Sequence, residues 1–181
     1  MAESTSRRVF FALWPAGPTQ EALDTLAVDA TKCCGGRRMR RDSLHMTLAF
    51  IGAVSPSRLA ALQDIAGKIS GEPFDMQLDR LGCWPHNRIF WIGCSNTPSR
   101  QCRLFAAIVE GLAVAGFALD KRPFVQHVTL VRNARCDNQP ELERPIPWHV
   151  SEFVLAESFL QASGAGYRVL NRWPLRPVSG P

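Results

Sequence analysis

The chain predicts an α+β fold, and three observations carry that prediction. Strand-like runs come in consecutive pairs near the middle and the end of the chain, as hairpins give, instead of alternating strictly with helices. Three segments combine helical apolar spacing with a proline near their start. A short pattern (histidine, apolar residue, threonine, leucine) occurs twice, in "LHMTLAF" (44–50) and in "QHVTLVR" (126–132). Each copy falls on a strand-like run preceded, at some distance, by a helix. That suggests a duplicated half, with the two copies facing each other across a cleft.

The elements follow in order. Val9 to Trp14 is a continuous apolar run ended by Pro15, as a central strand requires. "PAGPTQEALDTLAVDA" reads as a helix starting near Pro18 or Thr19. An arginine-rich loop leads to a second strand, Met46 to Ile51, closed by Gly52. "SPSRLAALQDIAGKIS" reads as a helix with a serine cap. "PFDMQLDRLGCW" and "NRIFWIGC" read as strands around the turn "WPHN". "TPSRQCRLFAAIVEGLAVAG" reads as a helix capped by Thr97 and ended by Gly116. Val125 to Arg132 is the second motif strand. The proline-rich connection "NQPELERPIPW" leads to a closing strand pair, "EFVLAESFLQ" and "YRVLNRWPL". The length of residues 1–181 suggests one domain or two small lobes sharing a core.

Composition narrows the class. The chain has 181 residues, 46% of them hydrophobic and 20% charged, which is ordinary globular usage. No run approaches the length of a membrane span. "SRRVFFALWPAG" superficially resembles a twin-arginine signal, but its apolar run is short, so it is expected to be a buried strand. The net charge of +5 and the basic pI favour polyanionic partners weakly. Arg37, Arg38, Arg40 and Arg41 precede the first motif directly. A solvated loop and a phosphate-binding loop both fit them. The six cysteines form no C-x-x-C pair and no zinc-type spacing with histidine. Reduced, incidental thiols in a cytoplasmic protein are expected.

The repeated motif carries the chemistry. Side chains at i and i+2 on a strand share a face, so His45 and Thr47 point one way and Met46 and Leu48 the other. His127 and Thr129 stand in the same relation to Val128 and Leu130. A lone strand histidine is usually structural. Here two of only four histidines carry the same threonine and leucine, which makes coincidence a poor account. Hydrolysis of a phosphodiester needs one group to take a proton from the nucleophile and another to protonate the leaving oxygen. Imidazole can do either at neutral pH. Threonine hydroxyls can hold the non-bridging oxygens. No metal or cofactor is then expected.

With these residues in view, the sequence resembles the two-histidine phosphoesterases, and more narrowly the RNA 2′,3′-cyclic phosphodiesterases, also called 2′-5′ RNA ligases. "RRVFFALWP" is similar to that family's opening strand, "LHMTLAFIG" to its first motif and "RIFWIG" to its middle strand. "RPFVQHVTLVR" is similar to its second motif, Arg132 included, and "FVLAESFLQASGAGYRVLNRW" to its closing hairpin with Tyr167. Gln126 and Arg41 depart from prolines frequent in relatives. The resemblance implies a bilobed fold: two antiparallel-rich sheets with flanking helices, related by a pseudo-two-fold axis around a central cleft. It implies hydrolysis of an RNA 2′,3′-cyclic phosphate to a 2′-phosphate, with His45 as proton donor and His127 as acceptor, and a possible reverse 2′-5′ ligation. The residues alone leave those two roles interchangeable.

Other residues carry open alternatives. Arg132 points away from His127 on a regular strand, and a bend could return it to phosphate. Arg40 could reach RNA from its loop. Tyr167 could stack on a base, donate to phosphate, or pack in the core. Phe11 and Phe50 read as core. His86 and His149 read as surface or structural. Lys121 and Arg122 could extend a positive rim. RNA with cyclic phosphate ends, or small cyclic nucleotides, are the expected partners of a monomer. A non-catalytic RNA- or nucleotide-binding module and a zinc site on His45 and His127 are the competing readings.

Overall fold

Pairing of the apolar runs is antiparallel throughout, and it places the two motif strands side by side. The computed structural model describes residues 6–118, 125–161 and 164–176; Lys121 and Arg122 lie outside them. The elements are β1 (Arg7–Leu13), α1 (Gly17–Cys34), β2 (Arg37–Arg38), a single 3₁₀ turn (Arg41–Ser43), β3 (Met46–Val54), α2 (Pro56–Lys68), β4 (Phe74–Leu78), β5 (Arg80–Trp84), β6 (Ile89–Gly93), α3 (Ser99–Val114), β7 (His127–Arg132), β8 (Ile146–Val150), β9 (Glu152–Gln161) and β10 (Gly164–Pro174). One sheet runs β10-β9-β1-β3-β7-β6-β5, with β2 paired to β7. A second sheet holds β4 and β8 alone. The fold is α+β, with antiparallel sheets flanked by helices.

β1 is apolar on both faces because both are covered. Val9, Phe11 and Leu13 enter the main core with Phe153 and Leu155, while Phe10 and Ala12 join Val154 and Ala156 in a smaller cluster on the other side. Each fully buried leucine or phenylalanine contributes about 1.5–3 kcal/mol over its exposed state. Ser55 caps α2, accepting from the Arg58 amide at 3.4 Å. α2 and α3 approach closely at Gly111, where an added Cβ would sit 2.7 Å from Ile65.

The large sheet has a seam. β3 and β7 are joined by one pair, Met46 opposite Val128, and both side chains are fully buried. β1 and β3, by contrast, pair from Arg7–Val54 to Leu13–Met46. The seam thus divides the sheet into β10-β9-β1-β3 on one side and β7-β6-β5 on the other, with one motif strand from each.

Four sequence expectations change. The run 73–84 divides at Asp79, whose carboxylate accepts from the Ser95 amide and hydroxyl at 2.7 and 2.5 Å; β4 leaves for the small sheet and β5 stays in the large one. The proline-rich connection ends in a strand, β8, where Pro147 is tolerated because the two-stranded sheet has only edges. α3 begins at Ser99 with Pro98 at the cap, which leaves Thr97 outside. Cys83 of β5 and Cys136, in the loop after β7, form a disulfide with Cα atoms 5.6 Å apart. That corrects the expectation of wholly reduced thiols. The two lie 53 positions apart, so no local spacing announces the pair; the sheet brings them together. Cys33, Cys34, Cys94 and Cys102 are free.

Candidate active site

The seam pair orients the site. Met46 and Val128 point into the core, so strand alternation turns His45, Thr47, His127 and Thr129 to the opposite face. All four are half-buried. Leu48 and Leu130 anchor the two strands in the core beneath.

Both imidazoles are held in the same way. His45 Nδ1 lies 2.7 Å from the Ser43 carbonyl oxygen, and His127 Nδ1 lies 2.7 Å from that of Val125. A carbonyl only accepts, so each Nδ1 carries the proton and donates, which leaves Nε2 as the exchanging atom of the neutral ring. The motif repeat therefore extends to a carbonyl two residues upstream of each histidine.

Their surroundings favour the neutral form of both rings. Burial lowers the His45 pKa to about 4; the Ser43 carbonyl opposes the shift, and the positive charge of Arg132 and the neighbouring His127 add to it. His127 is also lowered, first by burial and then by Arg132, with the Val125 carbonyl opposing.

Aromatic rings enclose each histidine. Trp14 stacks on His45 at 5.1 Å and 10°, and Phe10 and Tyr167 lie at 4.9 Å on tilted planes. Phe10 and Trp14 sit at i and i+4 on and just after β1. That face was visible in the sequence but hidden by a second apolar face of equal strength. Trp84 meets His127 edge to face at 4.6 Å, and Trp91 stands behind at 6.3 Å. A Cβ at Gly82 would overlap the Trp91 indole, so the glycine opposite makes room for that ring.

Two strand irregularities complete the site. The β6–β7 register shifts so that Phe90 faces Val131 while Trp91 faces Thr129. The extra residue, Leu130, returns Arg132 to the face of Thr129. Arg132 donates to the Tyr167 hydroxyl at 3.4 Å. The β1–β3 register likewise skips Leu48, so Phe50 shares the face of Thr47. Phe50 is 41% exposed, which corrects its reading as core; Phe11 is fully buried, as expected. A cavity of about 460 Å³ is lined by His45, Thr47, Arg132, Tyr167, Phe10 and Phe50 among others. Arg40 does not join it. That side chain pairs with Asp42 at 2.6 Å and lines smaller hollows beside Arg38. His86 is exposed in its turn, and His149 bonds Asp75 at 2.7 Å. Among the described residues, no three His, Cys, Asp or Glu side chains gather as a metal site, and no helix is long and apolar enough to cross a membrane.

Paired imidazoles and hydroxyls on the inner strands of two half-sheets, with an arginine returned to their face, define an α+β phosphoesterase of the two-histidine class. Residues 13–91 match the model of the LigT-like phosphoesterases. The chain is 31% identical to the RNA 2′,3′-cyclic phosphodiesterase of Escherichia coli K12 over 95% of its own length and 98% of that protein's. It is 26% identical to the Archaeoglobus fulgidus protein of the same name, over 90% and 97%. The crystal structure of E. coli LigT in apo form superposes with a TM-score of 0.83 at 30% identity, covering 96% of this chain and all of that one. The same protein complexed with 3′-AMP gives 0.83 at 30%, covering 94% and 98%. The chain belongs to the LigT-like two-histidine phosphoesterase family.

Proposed function

We propose that this chain is an RNA 2′,3′-cyclic phosphodiesterase that opens a terminal cyclic phosphate to a 2′-phosphate by histidine acid–base catalysis. The observation that supports it best is the matched pair of imidazoles, each fixed through Nδ1 to a carbonyl and each beside a threonine hydroxyl. Full-length similarity to curated enzymes of that activity agrees. In this reading a water oxygen attacks phosphorus and gives its proton to Nε2 of His127. The P–O3′ bond breaks, and the departing oxygen takes the proton held on Nε2 of His45. Thr47, Thr129 and Arg132 hold the non-bridging oxygens, and Tyr167 steadies Arg132. Arg40, at its distance from the cavity, serves the RNA strand.

Burial disfavours the protonated His45 that this role requires. The anionic substrate reverses the balance. A phosphate beside His45 offsets the Arg132 charge and raises the imidazole pKa as it binds. A 5′-hydroxyl in place of water gives a 2′-5′ phosphodiester by the same bond changes. We place the activity in a single two-lobed monomer in the cytoplasm, acting on RNA ends or small cyclic nucleotides. There the Cys83–Cys136 disulfide has to persist against reducing thiols.

The test is phosphorus NMR of the product from a cyclic-ended oligoribonucleotide. A 2′-monophosphate is expected, unchanged by EDTA. His45→Ala and His127→Ala should each lower kcat by about 10²–10⁴-fold. Full activity in either variant, or a 3′-phosphate product, overturns the proposal.

A further inference from the structure

The half-sheet that carries His127 holds a covalent tie of its own. β5 is the edge of the large sheet, paired with β6 from Arg80–Gly93 to Trp84–Ile89. Its last two residues diverge. Trp84 reaches the site face and sets the nearer of two indoles against His127, with ring centres 4.6 Å apart. Cys83, one position earlier, points to the opposite face and is bonded to Cys136 in the loop that follows Arg132. The bond therefore joins the strand end beneath Trp84 to the chain that leaves the second motif.

That loop has other anchors. The Ala134 amide donates to the Arg88 carbonyl at 2.9 Å, and the Arg135 amide donates to the Cys34 carbonyl at 2.7 Å. The Arg88 side chain donates to the Asn133 carbonyl at 3.1 Å. These bonds tie the loop to the β5–β6 turn and to the end of α1 without sulfur. Breaking the S–S bond thus loosens the end of β5 and leaves the half-sheet folded. Both cysteines are half-buried, so a small dithiol has access to them. In a reducing compartment a disulfide is usually transient and redox-sensing, and an accessible one is more labile than a buried one.

We propose that Cys83 and Cys136 form a reversible redox modification site that sets the rate of the enzyme through Trp84. Oxidised, the pair fixes the indole against His127; reduced, it lets the indole move and the imidazole lose its support. The effect on turnover rests on the phosphodiesterase reading, and the site adds a control that this reading does not contain. The exchange balances. A thiolate of a dithiol reductant attacks one sulfur, the S–S bond breaks through a mixed disulfide, and the second thiol closes the reductant's own disulfide. Two electrons and two protons pass to Cys83 and Cys136. Glutathione disulfide reverses the step and leaves as two glutathione thiols.

The test compares wild type purified without reductant, after dithiothreitol, and after return to glutathione disulfide. Mass spectrometry after alkylation reports the state of the pair. Reduction should lower kcat on a cyclic-ended oligoribonucleotide about 10-fold, since a small misplacement of a reacting group costs up to about 10²-fold. Reoxidation should restore it. NMR of the imidazole ring protons gives a readout that a merely structural bond would not move. Burial is the main cause that holds the His127 pKa down, so reduction should raise it toward its ordinary value. Arg132 and His45, the charged or titratable groups coupled to His127, are the same in both forms, and the His45 pKa should move less. Cys83→Ser should match the reduced wild type and ignore dithiothreitol. Cys102→Ser, at an exposed free thiol, should respond as the wild type does. Equal kcat in the two forms, an unmoved His127 pKa, or full activity in Cys83→Ser overturns the site. So does a bond that glutathione disulfide fails to re-form. Loss of the folded NMR spectrum on reduction overturns it too, because the bond is then structural. A wild type that turns over no substrate in either form overturns the phosphodiesterase reading, and the His127 pKa then decides the redox site alone.

Discussion

At the scale of single residues, the two histidines differ in what covers them. His45 is stacked flat against Trp14, while His127 meets its tryptophans edge to face. The face of an indole attracts a cation, by about 0.5–2 kcal/mol depending on desolvation. A stacked imidazolium is therefore favoured at His45 over the same ring beside an aliphatic group. Trp14→Leu keeps the site apolar and removes the π-face. The His45 pKa, followed through its ring protons by NMR, should then fall further below its ordinary value, and Trp14→Phe should fall less. A rise in Trp14→Leu would mean that the indole acts only by excluding water. Leu48 and Leu130 show the other use of a single residue. Each is the extra residue of a bulge, so the leucine that completes the motif also decides which way Phe50 and Arg132 point.

Elements were legible where one period ruled and obscure where it broke. Both motif strands could be read because Met46 and Val128 alternate cleanly with histidine and threonine. The three helices could be read from a proline near the start and apolar spacing, and Ser55 caps as its position suggests. Arg132 and Phe50 resisted because a bulge cannot be seen in a strand that is apolar on both faces, and one added residue inverts everything beyond it. β8 was hidden by Pro147 within it and Pro145 just before it. Cys83 and Cys136 gave no sign, because β5 and the loop after β7 meet only in the folded sheet. β5 and β6 support His127 through Trp84 and Trp91, and Gly82 makes that support possible. Gly82→Ala should therefore displace the Trp91 ring. We expect a stability loss of about 1–3 kcal/mol, as for other overpacked cores, in urea unfolding. The kcat should also fall, while KM moves little. Normal stability and turnover would show that the indole has room to spare.

For the whole molecule, the two imidazoles proposed as acid and base also tie stability to pH. Both have folded-state pKa values below the ordinary 6.5, and His45 reaches about 4. Above pH 7 the rings are neutral in the folded and unfolded chains alike, and they cost nothing. As pH falls through 6.5 the unfolded chain takes up protons that the folded chain refuses. Stability therefore declines until the folded rings titrate, near pH 4 for His45. A bound phosphate opposes this loss. Held between the two imidazoles as proposed, it stabilises only the folded state, by about 2.7 kcal/mol at a hundred times its Kd. It also raises both imidazole pKa values, so its own binding tightens as pH falls from 7 toward 5. Thermal unfolding at pH 7 and pH 5, with and without inorganic phosphate, measures both effects. The wild type should lose more Tm on acidification than His45→Ala does. Phosphate should restore a larger share of that loss at pH 5 than it adds at pH 7. Equal acid sensitivity in the two proteins would mean that His45 is not the group that refuses the proton. A phosphate effect that weakens with acid would place the anion away from the imidazoles.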